Sequence, residues 1–175
     1  MRKIVFISTL FLIVTSFTTT SKRVDVLIQK EIKTVFNIEN YTTHPIAISK
    51  EVQELIPLKI TETNFFKINS NDNFLGYYYL GQAYGKAAYF DFIVIFDKDL
   101  IVSKVKILVY REDHGGEVGS KRWLKQFIGT TKEQQLKYQK DIAAISGATI
   151  SAKSMTNEVN KLLKTIGILN NKQQL

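Results

Sequence analysis

Hydroxyl side chains gathered at a glycine-containing turn are suited to holding a phosphate, and the stretch Asp141-Ile-Ala-Ala-Ile-Ser-Gly-Ala-Thr-Ile-Ser151 gathers three of them. The apolar residues Met155, Val159, Leu162, Leu163 and Ile166 recur at helical spacing after it, and Gly167 stands where a left-handed cap would end the helix. The spacing predicts a helix that begins at or just after Thr149. At such a start, backbone N–H groups without intrahelical partners and the positive end of the helix dipole favour an anion. Gly147 and Ala148 add little bulk and let a ligand approach the backbone. Local chemistry leaves two readings open: a seat for a phosphate, or an ordinary N-cap for which Ser146, Thr149 and Ser151 compete.

A second stretch, Tyr110-Arg-Glu-Asp-His-Gly-Gly-Glu-Val-Gly119, follows an apolar strand and precedes Lys121-Arg-Trp-Leu-Lys-Gln-Phe-Ile-Gly129. Glu112 lies just beyond the strand, where its carboxylate accepts hydrogen bonds from a cofactor or a polar loop, or is simply an exposed loop charge. Asp141 offers an acceptor that can tie down backbone N–H groups of the turn. Tyr77, Tyr78, Tyr79, Tyr84 and Tyr89 offer flat faces to a flat ligand, although alternating strand tyrosines ordinarily pack on their neighbours. His44 and His114 are distant in sequence and lack the carboxylate–histidine spacing of a zinc site, which speaks against a metal centre. His114 sits in the glycine-rich loop, either solvated or against a ligand. The absence of cysteine excludes a disulfide framework, a thiolate nucleophile and a cysteine-ligated cluster, so any redox chemistry must come from an added cofactor. No histidine or lysine stands beside Thr149 in sequence as an activating base, and no acid–base pair is recognisable.

The elements that must position these residues read as follows. Val24, Leu27, Ile28, Ile32, Val35 and Phe36 mark an amphipathic helix over 22–36, ended by a polar stretch over 37–45. Ser49 caps a short helix that reaches Leu55 and is stopped by Pro57. Strands are expected over 58–68, 74–84, 87–96 and 101–110, with tight connections at Gly85-Lys86 and Asp97-Lys98-Asp99. Phe90, Phe92, Val94 and Phe96 share one face of the third strand; Ile101, Val105, Ile107 and Val109 share one face of the fourth. The expected fold is α+β: an antiparallel meander with one well-buried face, on which a helix in the 120s and the C-terminal helix pack.

With 175 residues, 45% of them apolar, the chain has enough sequence for one domain with its own core. Met1-Arg-Lys, the apolar run 4–14 and a polar tract over 15–21 have the order of a secretory leader, short for a bilayer span. The layout is thus a signal peptide or short membrane anchor at 1–20, N-terminal helices and the first strand at 21–70, the core at 71–168 and a polar tail at 169–175. The formal charge is +8, with lysines spread singly or in pairs such as Lys22-Arg23 and Lys121-Arg122. A nucleic-acid binder concentrates such charge on one helix or stripe. The dispersed surplus instead suits a solvated surface with some affinity for an anionic membrane face or an acidic redox partner.

The order Ser146-Gly147-Ala148-Thr149-x-Ser151, with Asp141 five residues upstream of Ser146, resembles the flavinylation motif of the FMN-binding domain family. That family includes the small extracytosolic subunits of sodium-pumping quinone reductases and of related ferredoxin-oxidising complexes. The resemblance runs over about 73–166 and implies an FMN-binding domain-like fold centred on 71–168. It implies FMN joined by a phosphoester to Thr149, with Ser146, Gly147, Ala148, Ser151, Asp141 and Glu112 around the cofactor. The electron-transport subunits usually read Glu-Thr-Pro-Gly-x-Gly at the second loop; here Glu112 is kept, Asp113-His114-Gly115 replace the middle and the spacing to Gly119 is longer. This departure points to a stand-alone member more than to a subunit of the large pump. The resemblance further implies a bacterial, extracytosolic protein, in the periplasm or on the outer face of the inner membrane. Its partners would be a flavin transferase that uses FAD and a divalent metal ion, and a membrane-side electron donor. Two other readings share the fold: a module that binds FMN without a covalent bond for sensing or assembly, and a flavin-dependent reductase.

Overall fold

The run Phe92-Ile-Val-Ile-Phe96 has no polar alternation, the pattern of a strand covered on both faces. In the computed structural model, which describes residues 18–175, this run lies inside a five-stranded antiparallel sheet with helices on either side, an α+β fold. The strands β1 (Thr42–Pro45), β2 (Phe65–Ser70), β3 (Asn73–Tyr84), β4 (Tyr89–Asp97) and β5 (Val102–Val109) form a meander in which each pairs with the next. Helix α1 (Thr18–Phe36) precedes the sheet and α2 (Lys50–Gln53) interrupts the path from β1 to β2. After β5 come a 3-10 turn (Gly116–Gly119), α3 (Lys121–Leu124), a second 3-10 turn (Lys125–Phe127) and the long helix α4 (Thr149–Asn171).

Both faces of the sheet are buried, where the strand patterns alone led to the expectation of one. Odd positions of β3 and even positions of β4, among them Tyr77, Tyr79, Phe90, Phe92 and Val94, pack with Met155, Val159, Leu162 and Ile166 of α4. The alternate positions Tyr78, Ile93 and Ile95 meet Ile28 and Ile32 of α1. A Lys104–Glu31 ion pair at 3.2 Å joins α1 to β5 beside this second cluster.

Several expected elements move, each for a local reason. Residues 58–64 form a loop and not the start of a strand, because two amide side chains take up their backbone groups. Gln53 donates to Leu58 O at 3.0 Å and accepts from Ile60 N at 3.0 Å, while Asn64 accepts from Thr61 N at 2.8 Å and donates to Lys59 O at 2.9 Å. The polar stretch after α1 contains β1, an edge strand paired with β2 and mostly exposed, which has no apolar alternation to announce it. In β5 the core-facing set is Val102, Val105 and Ile107; bulges opposite Ile95/Phe96 and Asp91/Phe92 shift the phase, leaving Ile101 outside the strand and Val109 off the core. Gly167 lies inside α4, which continues to Asn171, because the buried positions Ile166 and Leu169 carry the apolar stripe past the glycine. The apolar run 4–14, on which the expectation of a leader rests, lies outside the described residues. Among the described residues, no helix is long and apolar enough to cross a membrane.

Candidate functional site

The approach to α4 is an extended segment held by side chains. Trp123 Nε1 donates to Ala143 O at 2.8 Å, Ala143 N donates to Gln126 Oε1 at 2.8 Å, and Gln126 Nε2 donates back to Trp123 O at 3.0 Å. Further along α4, Asn160 clamps Leu136 from both sides, accepting from its N–H and donating to its carbonyl, each at 2.8 Å. The chain then turns at Ile145–Ala148, closed by Ala148 N donating to Ile145 O at 3.2 Å. Gly147 takes a φ of 78° in this turn, a left-handed conformation that L side chains rarely adopt, and open space lies where its Cβ would be.

The helix starts without a side-chain cap. Ala148 is the N-cap residue and carries no acceptor, so none of the three candidate hydroxyls caps α4. Thr149 and Ile150 of the first turn are exposed. Ser151 is buried, and its Oγ lies 3.2 Å from the Tyr110 hydroxyl, which stands 3.0 Å from His114 O and donates to it. Tyr110 thereby ties the loop after β5 to the start of α4.

The third wall is the hairpin tip between β3 and β4. Glu112 Oε1 accepts from Ala87 N at 2.8 Å and from Ala88 N at 2.9 Å. Those backbone bonds, Ala88 first and then Ala87, with the Lys86 ammonium nearby, hold the Glu112 carboxyl below the usual carboxylate range. Position 85 must be glycine for this contact: a Cβ there would stand 2.2 Å from Glu112 Oε1. The tip is also fastened to α4, since Tyr84 N donates to Ser154 Oγ at 3.0 Å.

Between these walls lies a cleft of about 500 Å³, bordered by Lys86, Ala87, Glu112, Asp113, His114 and residues 147–151. The structure thus brings Glu112, Gly147, Ala148, Thr149 and Ser151 together across nearly forty residues of sequence. Ser146 is exposed on the adjoining turn. Asp141 is elsewhere: its Oδ2 accepts from Lys137 N at 2.8 Å, and it borders a separate depression with Gln126 and Leu136. Tyr77, Tyr78 and Tyr79 are core residues, with Tyr78 stacked on Phe66 at 4.7 Å between ring centroids. Desolvation pushes the phenols of Tyr78 and Tyr79 up to about 12. Tyr84 and Tyr89 are exposed, their rings 4.8 Å apart at the end of the sheet, at positions in phase with the residues that face α1. His114 borders the cleft, whereas His44 is on β1. Among the described residues, no three His, Cys, Asp or Glu side chains are grouped to hold a metal ion.

Sequence reasoning did not find Lys86, Ala87 or Tyr110, nor the Trp123–Gln126 clamp. The pairing of Gly85 with a carboxylate in the loop after the next hairpin is the signal that could have drawn attention to the tip.

These features fit a ligand with an anionic group at one end and a partly apolar body. An uncapped helix start and the open side of Gly147 suit the anion, while Ala87, Ala148 and Ile150 offer small apolar surfaces beside it. The cleft volume is in the range of cofactor sites. No curated protein matches the chain. Residues 85–164 match the family model described as the FMN-binding domain, a segment that opens on the hairpin glycine, closes within α4 and contains every residue bordering the cleft. By this segment the chain carries an FMN-binding domain, which supports an FMN-binding protein.

Proposed function

We propose that the protein is an exported electron carrier in which FMN is held by a phosphoester to Thr149. The observation that carries this reading is the exposed Thr149 hydroxyl in the first turn of an uncapped helix, beside a left-handed glycine and inside the cleft. The neighbouring hydroxyls are less suited. Ser151 is buried and engaged with Tyr110, and Ser146 lies on the turn outside the residues that border the cleft. No histidine or lysine stands beside Thr149 in sequence as an activating base, and a separate flavin transferase using FAD and a divalent metal ion would install the group. In that reaction the Thr149 oxygen bonds to the FMN phosphorus of FAD and AMP departs with the bridging oxygen. The hydroxyl proton passes to a base of the transferase.

The bound flavin supplies the electron chemistry, and the chain's residues supply position and electrostatics. The uncapped start of α4 stabilises the phosphodiester charge. Tyr110 fixes the 111–119 loop against Ser151, and Glu112 holds the hairpin tip against that loop. The leader order at the N-terminus supports export, to the periplasm or the outer face of the inner membrane, where a covalent bond prevents loss of the flavin by dilution. A membrane-side donor would load the carrier.

The test is coexpression with a flavin transferase in an exporting host. The wild type should gain the mass of one FMN less water and keep its fluorescence through denaturation, and fractionation should find it outside the cytoplasm. Thr149→Val, which keeps the side-chain shape, should fold normally and lose the added mass. Flavin found on Ser146 or Ser151 by peptide mapping refutes the attachment site. An unmodified wild type that still binds added FMN favours the non-covalent module.

A further inference from the structure

Of the residues that border the cleft, Lys86 is the one lysine or arginine, and it sits at the centre of a hairpin tip fastened from two directions. Glu112 holds the Ala87 and Ala88 N–H groups on its far side, and Ser154 holds Tyr84 N on its near side. The space that a Cβ at Gly85 would fill is taken by the Glu112 carboxylate, so the tip and the carboxylate fit as one unit. Apart from the start of α4, the walls of the cleft are this tip and residues 112–114, so these residues are what the structure places beside a ligand whose phosphate is held at Thr149.

We propose that Lys86 and Glu112 set the reduction potential of the flavin with opposite signs, Lys86 raising it and Glu112 lowering it, and that Glu112 also acts as the positioning residue for Lys86. This rests on the reading that FMN occupies the cleft. When the ring takes up two electrons and one solvent proton, it gains one negative charge. The Lys86 ammonium favours that charge and the Glu112 carboxylate opposes it. Asp113 and His114 also face the cleft and, like Lys86, are exposed, so water and salt screen any charge on all three, while Glu112 is part-buried. Glu112 is tied by two backbone N–H groups in a fixed place, and its field is correspondingly fixed.

The experiment is a spectroelectrochemical titration of the flavinylated protein at constant pH and ionic strength, with electrons supplied by dithionite through mediator dyes. Lys86→Gln should shift the midpoint potential to more negative values. Glu112→Gln removes the charge but keeps a carbonyl oxygen for Ala87 and Ala88, and should shift the potential to more positive values. Both shifts should shrink as salt is raised. In a Glu112→Ala background, where the tip is unfastened, Lys86→Gln should shift the potential less than it does in the wild type. Merely structural damage would move both single variants in the same direction. Shifts of equal sign, or no shift in either variant of a flavinylated protein, overturn the inference while leaving the reading of the cleft intact. A wild type that takes up no flavin overturns both.

Discussion

The body of α4 and its first turn obey opposite rules. From Ala152 to Leu169 the helix presents Met155, Val159, Leu162, Leu163 and Ile166 to the sheet, all fully or almost fully buried. Its first residues, Thr149 and Ile150, are exposed, and its N-cap has no side-chain acceptor. An uncapped helix start costs about 1 kcal/mol relative to a good cap, whereas each buried aliphatic side chain contributes about 1.5–3 kcal/mol. A helix so firmly anchored by its body can leave its start open to an anion. Stability and site are thus separated along one element by less than two turns.

The strongest way to break this comparison is to strike the body. Val159→Asp places an unpaired carboxylate where Val159 has no solvent exposure, and the domain should lose about 4 kcal/mol or more, measured by denaturant unfolding. Thr149→Val, in contrast, should leave the melting temperature nearly unchanged while abolishing the flavin bond. If both variants unfolded alike, the start of α4 would be as structural as its body.

An intermediate effect is expected at the hairpin tip, through acid. The folded-state pKa of Glu112 is lowered, so its stabilisation is present above its unfolded-state value of about 4.3 and is lost as pH falls through the lower folded value. The amide proton resonances of Ala87 and Ala88 should therefore titrate together, with a midpoint below that of an ordinary glutamate. In Glu112→Gln this titration should vanish. Gly85→Ala should displace the carboxylate and destabilise the domain less than Val159→Asp. The smallest effect belongs to Tyr110→Phe, which removes the hydroxyl that joins His114 O and Ser151 Oγ. It should cost about 1 kcal/mol in unfolding free energy, with the sheet unaffected.

The sequence was most legible where one rule decided. Period-3.6 spacing found α1 and α4, and the odd–even pattern of Phe90 to Phe96 found the α4 face of the sheet. Ser49 was read as a cap and is one, accepting from Val52 N at 3.4 Å. Legibility failed where a distant side chain overruled the local pattern. The apolar residues of 58–64 look strand-like, yet Gln53 and Asn64 wrap them into a loop. Gly167 looks like a terminator, yet packing beyond it continues the helix. Around the cleft, the turn at Gly147 and the helix start at Thr149 were legible, because both are local events. Lys86 was not, because nothing near Gly85 in the sequence says that Glu112 closes over it. Asp141 shows the converse: adjacent in sequence to the motif, it hydrogen-bonds its own turn at Lys137.

The clamp that delivers the chain to the cleft also places the protein's sole tryptophan. Trp123 is buried, edge-packed on Phe127 at 5.2 Å between centroids, with its indole N–H on the carbonyl of Ala143, a few residues before the glycine turn. Its emission overlaps flavin absorption, so a flavin on Thr149 would act as an energy-transfer acceptor for it. Excitation of this single indole should give a bright signal in the unmodified protein and a quenched one after flavinylation. The same ring that steers the backbone toward the site would thus let loading be followed continuously in solution, without added labels.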